Sequence, residues 1–123
     1  MSRFHHIRLE LAREPGHPHG DAREGYDIVA PLDATGHLDP VAWKREQKRC
    51  RVRKFINDQT LSIGALRHGS GGRWTLELDP VDQAETIAGF HLGEESFVTG
   101  EYVSLTEPNG RQHTYVVARM AEV

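Results

Sequence analysis

The chain has one cysteine, two methionines and no apolar run near the length of a membrane span in its 123 residues. Each shortage excludes something. A lone thiol, Cys50, rules out an intrachain disulfide and agrees with a reducing compartment. A spanning helix takes about 20 consecutive apolar residues, and the start Met1-Ser-Arg-Phe-His-His6 lacks the apolar stretch of a signal peptide. The expectation is a cytoplasmic protein with no membrane partner. A phosphate loop is missing too: Gly69-Ser-Gly-Gly-Arg73 has neither the Lys-Ser/Thr ending nor a helical pattern behind it, and reads as a hairpin turn. No stretch carries a recognisable catalytic or cofactor motif.

What is present is a pattern of short alternating segments. A composition 37% hydrophobic and 27% charged is that of an ordinary globular chain, far from a disordered profile. Its length fits one domain, residues 1–123, able to bury roughly two-thirds of its unfolded surface. The clearest local signal is Asn109-Gly110 between the alternating runs Glu101 to Glu107 and Gln112 to Met120. Both residues tolerate positive φ, so the pair predicts a β-hairpin, with Pro108 able to lengthen the loop. A second hairpin joins Thr60 to His68 with Arg73 to Asp79 around Gly69-Ser-Gly-Gly72. Phe4 to Arg13, Tyr26 to Leu32 and Arg51 to Ile56 also alternate, whereas Glu14 to Asp21, with two prolines and two glycines, is a loop. Val81 to Glu94 is acidic and irregular, with a helical turn over Asp82 to Ala88 as one reading. Asp39-Pro40 opens a helix running to about Arg49, because Asp accepts free amide protons at the N-cap and Pro has none to satisfy. The sum predicts a mainly β protein: a small antiparallel β-barrel of six or seven short strands with one short α-helix.

Charge is unevenly spread. Residues 1–60 hold eleven Lys/Arg against nine Asp/Glu, and residues 61–123 hold four against nine, so the halves differ in sign. Seven of the eleven positions from Lys44 to Lys54 are basic: Lys44, Arg45, Lys48, Arg49, Arg51, Arg53 and Lys54. They are the candidate anion-binding residues, for an anionic ligand or a nucleic-acid backbone. The plain alternative is a solvated face that pairs with the acidic half of the same chain.

Histidine and carboxylate supply a second vocabulary. Of eight histidines, His5, His6, His17 and His19 precede residue 20. His17, His19 and Asp21 are the candidate metal ligands, with Glu24 or His5 beside them, since two imidazoles and a carboxylate leave a divalent transition metal an open position. Solvated loop histidines are the alternative. His91, Glu94, Glu95, Glu101 and His113 form a later set suited to acid–base work only if the fold gathers them. Cys50 follows Lys48 and Arg49, a setting that favours thiolate if exposed and an inert thiol if buried. Trp43 and Trp74 are candidates for stacking bases, with core packing as the alternative.

Pro15-Gly-His-Pro-His-Gly-Asp21, Ala30-Pro-Leu-Asp33, Gly36-His-Leu-Asp39 and Gly100-Glu-Tyr-Val-Ser104 together make the chain resemble a family of short uncharacterised bacterial proteins. The resemblance implies no activity and transfers no functional residue. The functional expectation is therefore a non-enzymatic binding or regulatory module whose basic stripe meets an anionic partner. A small metal-dependent enzyme built on the N-terminal histidine loop is the alternative, and an adaptor that works beside a protein partner is a third.

Overall fold

The computed structural model describes residues 2–16, 18–69, 72–81, 87–92 and 96–123. Its architecture follows from the period of two. Strand β1 (Arg3–Leu11) buries Ile7, Leu9 and Leu11 and turns Arg8 outward, and β2 (Asp21–Leu32) buries Tyr26, Ile28 and Ala30. Six further strands follow: β3 (Arg51–Ile56), β4 (Gln59–His68), β5 (Trp74–Pro80), β6 (Ile87–Leu92), β7 (Tyr102–Thr106) and β8 (Gln112–Glu122). Each strand pairs antiparallel with the next, and β8 returns to β1 through pairs from His5↔Glu122 to Leu11↔Tyr115. The result is a closed barrel with no free sheet edge to template pairing with another chain.

Eight strands close it, not six or seven. The uncounted one is β6, which lies in the segment read as irregular. Leu76 faces Phe90 while Leu78 faces Ile87, so a bulge near Gly89, whose φ is +97°, breaks the alternation. Apolar residues three apart hide a strand from a period-two reading. The helical turn expected at 82–88 is replaced by strand at Ile87 and Ala88; residues 82–86 lie outside the described residues.

Two further boundaries move for physical reasons. Strand β2 begins at Asp21, five residues before Tyr26. Gly25 inside it reads as a break but is demanded by packing, because a Cβ there would lie 1.8 Å from the Leu9 carbonyl oxygen. Helix α1 spans Pro40–Arg45 and gives way to a 3₁₀ turn over Gln47–Arg49, rather than running on to Arg49 as α-helix. Asp39 caps it through Oδ1, which accepts from the Val41 and Ala42 amides at 2.9 and 3.2 Å. Only Trp43 on it is buried, so nothing apolar holds a further turn against the barrel.

The turns sort by conformation. Asn57 and Asp58 both have positive φ, 54° and 62°, the signature of the tight two-residue type I′ hairpin between β3 and β4. At Asn109-Gly110 only the glycine does, with φ of +87°. There the Gly110 amide donates to the Glu107 carbonyl at 2.9 Å and Glu107 donates to Arg111 at 2.7 Å, which makes a longer loop that includes Pro108.

Side chains fill the lumen, as is usual in small barrels. Ile7, Leu9, Ile28, Val52, Leu66, Leu76, Val103, Leu105 and Val117 are its apolar body. One end is plugged by Trp43, whose indole N–H donates to the Leu66 carbonyl at 2.9 Å and whose ring meets Trp74 edge-on at 5.9 Å. The outer face carries Arg8, Asp27, Arg53 and Glu77. Among the described residues no helix is long and apolar enough to cross a membrane.

Candidate anion-binding groove and barrel mouth

Helix α1 and its 3₁₀ extension lie beside the outer face of β2 to β5, and between them runs a groove of about 1360 Å³. The helix contributes Lys44 and Arg45, the 3₁₀ turn Lys48, β3 Arg51 and Arg53, and β4 Ile63 and Arg67. Chain geometry puts these cations together: β3 starts directly after the 3₁₀ turn, and its odd-numbered residues face outward. Six Lys and Arg side chains line the groove against four carboxylates, so its potential is positive.

The carboxylates are already engaged. Asp27 accepts from Arg53 at 2.7 Å and contacts His6 Nε2 at 3.0 Å. Glu77 accepts from Arg67 at 2.6 Å and Glu46 from Arg49 at 3.1 Å, and Asp79 also has a partner. Lys44, Arg45, Lys48 and Arg51 are all exposed, and among the described residues none has an ion-pair partner. These four form the unneutralised part of the site.

The seven-residue stripe is therefore split. Arg49 is held by Glu46 and stacks over Phe4 with its guanidinium carbon 3.9 Å from the ring centroid. Arg53 donates to Thr60 Oγ1 and to Asp27, each at 2.7 Å. With Arg8 it also covers Phe55, which is buried on the outer face apart from the lumen cluster. Lys54 is not on this surface. Alternation turns it inward with Val52, and its side chain, only 15% exposed, lies 3.8 Å from Glu107 with its ammonium over the Tyr26 and Phe90 rings.

The second aromatic and cysteine candidates are structural. Trp43 and Trp74 are buried and stack on each other and on His68 rather than facing the groove. Cys50 borders the groove but is 1% exposed, and burial pushes its thiol up to about 11 despite the pull of Arg49 in the other direction. That is the setting of a structural rather than a reactive cysteine.

Of the metal candidates, His17 lies outside the described residues. His19 is exposed, and Asp21, the first residue of β2, accepts a hydrogen bond from the Arg23 amide at 2.8 Å. His5 turns back to the Arg3 carbonyl. Among the described residues no three His, Cys, Asp or Glu side chains converge on a point where a metal would sit.

Of the later acid–base set, Glu94 and Glu95 lie outside the described residues, and Glu101 sits opposite Val117, away from His113. His113 instead joins groups that sequence reasoning passed over. At the barrel end opposite Trp43, its Nδ1 is 3.0 Å from Glu14 and its Nε2 is 2.9 Å from Glu107, with Lys54 completing the ion-pair chain. Below them Tyr26 and Tyr115 meet edge-on at 5.3 Å. Burial, reinforced by the surrounding carboxylates, pushes both phenols well above the usual tyrosine range, so both keep their protons. The side shared by His113, Tyr115 and Val117 was visible in the strand pattern. Glu14 comes from a loop 99 residues away and left no local signal.

Comparison with protein-family models, curated proteins and solved structures finds no match to this chain.

Proposed function

We propose that the protein is a non-enzymatic binding module whose outer groove takes an extended anionic partner, of which a single-stranded nucleic-acid backbone is the best fit. The observation that carries this reading is the imbalance along the groove: its carboxylates already have partners, while Lys44, Arg45, Lys48 and Arg51 have no ion-pair partner among the described residues. Exposed cations without partners attract phosphate at little desolvation cost, and each neutralised phosphate releases counterions. The groove's length along α1 and β3 suits a chain of charges better than a single ion. No aromatic ring stands free to stack bases there, so binding is expected to follow charge rather than sequence.

The test is fluorescence anisotropy of a labelled oligothymidylate at rising salt. Affinity that falls with salt and is lost when the four cations are neutralised supports the module. Absent binding, or binding indifferent to salt, removes it. A metal-dependent activity of the N-terminal loop gains no support from the described residues, where His19 and Asp21 make no shared site.

A further inference from the structure

Next to the groove, between α1 and the last residue of β4, lies a smaller hollow of about 390 Å³. Small-molecule pockets measure about 300–1,000 Å³, so it can hold one ring system. Pro40, Val41 and Trp43 give it apolar walls, and His68 closes it. The two cavities are continuous at the helix, because Lys44 and Arg45 border both of them. Both cations are exposed and have no ion-pair partner among the described residues. His68 belongs to an aromatic cluster, its ring 4.3 Å from that of Trp74 at a tilt of 38° and 5.9 Å from that of Trp43. The two indoles are buried and the imidazole is only half-buried, so it is the member of the cluster that meets solvent most.

We infer that this hollow is a nucleobase site, which takes one base of the strand whose phosphates lie along the groove. The inference rests on the groove's being a site for single-stranded nucleic acid. A nucleotide joins a flat, largely apolar ring to an anion through one sugar, and here aromatic and aliphatic walls adjoin the cations Lys44 and Arg45. A free inorganic anion would gain nothing from those walls. Every base has a π-face, so stacking on an aromatic side chain adds affinity without reading sequence. That agrees with a groove that recognises charge. One hollow holds one base, so the gain does not grow with the number of bases in the strand.

The experiment compares three labelled strands of equal length by fluorescence anisotropy of the full chain at fixed salt: an oligothymidylate, the same sugar-phosphate chain without bases, and that abasic chain carrying a single thymine. The oligothymidylate is expected to bind about fivefold or more tighter than the abasic strand, the low end of what stacking one base contributes, and the single thymine to recover most of that gain. Val41→Ser and His68→Ala should each cut the gain to about twofold or less and leave the affinity for the abasic strand unchanged, which shows that fold and cations are intact. Val41 is 64% exposed, so its replacement leaves the core untouched and the test stands even where His68→Ala fails to fold. Equal affinity for the oligothymidylate and the abasic strand, both weakening with salt, overturns the nucleobase site and leaves the groove standing. Binding of neither strand removes both. A gain that survives Val41→Ser and His68→Ala but is lost in Ile63→Ser puts the base on the groove floor, and also overturns the inference.

Discussion

Neutralising the four unpaired cations tests the groove quantitatively. For single strands, log K falls with log salt at about 0.7 per phosphate contact. Four contacts from Lys44, Arg45, Lys48 and Arg51 give a slope of about −3, so affinity for an oligothymidylate drops about 50-fold between roughly 50 and 200 mM salt. The double variant Lys48→Gln/Arg51→Gln keeps two contacts, a slope of about −1.4 and a drop of about sevenfold over the same range. Arg49→Gln should leave the slope near wild type, because Arg49 is occupied by Glu46 and Phe4. Lys48, Arg49 and Arg51 are exposed, so their stabilities should stay within about 0.5 kcal/mol of wild type and the comparison is not confounded by unfolding. Anisotropy at five salt concentrations reads all three slopes. A wild-type slope shallower than about −1, or one that Lys48→Gln/Arg51→Gln does not change, refutes the reasoning.

Other parts of the structure can be challenged directly. Trp43→Ala removes the plug and its bond to the Leu66 carbonyl, and should cost about 3–5 kcal/mol in urea denaturation; a loss under about 1 kcal/mol would mean that the helix does not cap the barrel. Gly64→Ala places a Cβ 1.8 Å from the Glu77 carbonyl oxygen, a backbone contact that must shift, so a melting temperature equal to wild type would contradict the β4–β5 register. The Ser2 hydroxyl, then the Ala42 and Val41 amides, hold the Asp39 carboxyl below the usual carboxylate range. Its contribution is therefore present above the unfolded value near pH ~4 and lost as pH falls through the lower folded value. Asp39→Ala should cost about 1 kcal/mol at neutral pH, with the gap to wild type closing below about pH 4; a gap independent of pH in chemical denaturation would contradict the cap. Cys50, with its buried thiol raised to about 11, should react with an aromatic disulfide reagent only after denaturation, and rapid labelling of native protein would place it at the surface.

The barrel was legible because most of its strands obey one rule. In Ile7, Leu9 and Leu11 or Trp74, Leu76 and Leu78, alternation marked both the strand and its inward face; in β4 it marked the strand but not the face, since Leu61 and Ile63 point outward while Ser62 and Leu66 are buried. Where the sheet bends, that rule fails: the bulge by Gly89 hid β6, and the close approach of the Leu9 carbonyl put a glycine inside β2 that reads as a boundary. Asn109-Gly110 located a hairpin correctly, and Pro108 lengthens its loop as expected, whereas the two-residue turn at Asn57-Asp58 was not read from the sequence. For the groove, sequence found the cations and missed their sorting. Strand parity alone would have turned Lys54 inward, but which of the other six are neutralised depends on Asp27, Glu46 and the Phe4 ring, partners that no local pattern reveals. The mouth was hardest to foresee, because Glu14, Glu107 and His113 meet only once the barrel closes.

Mapping an oligothymidylate onto the protein by NMR tests the central claim most directly. The account expects shifts concentrated at Lys44, Arg45, Lys48 and Arg51, with Ile63 and Arg67 across the groove, and none at Tyr26 or His113. Shifts centred on the barrel mouth, or none at oligonucleotide concentrations that saturate the anisotropy signal, would contradict it.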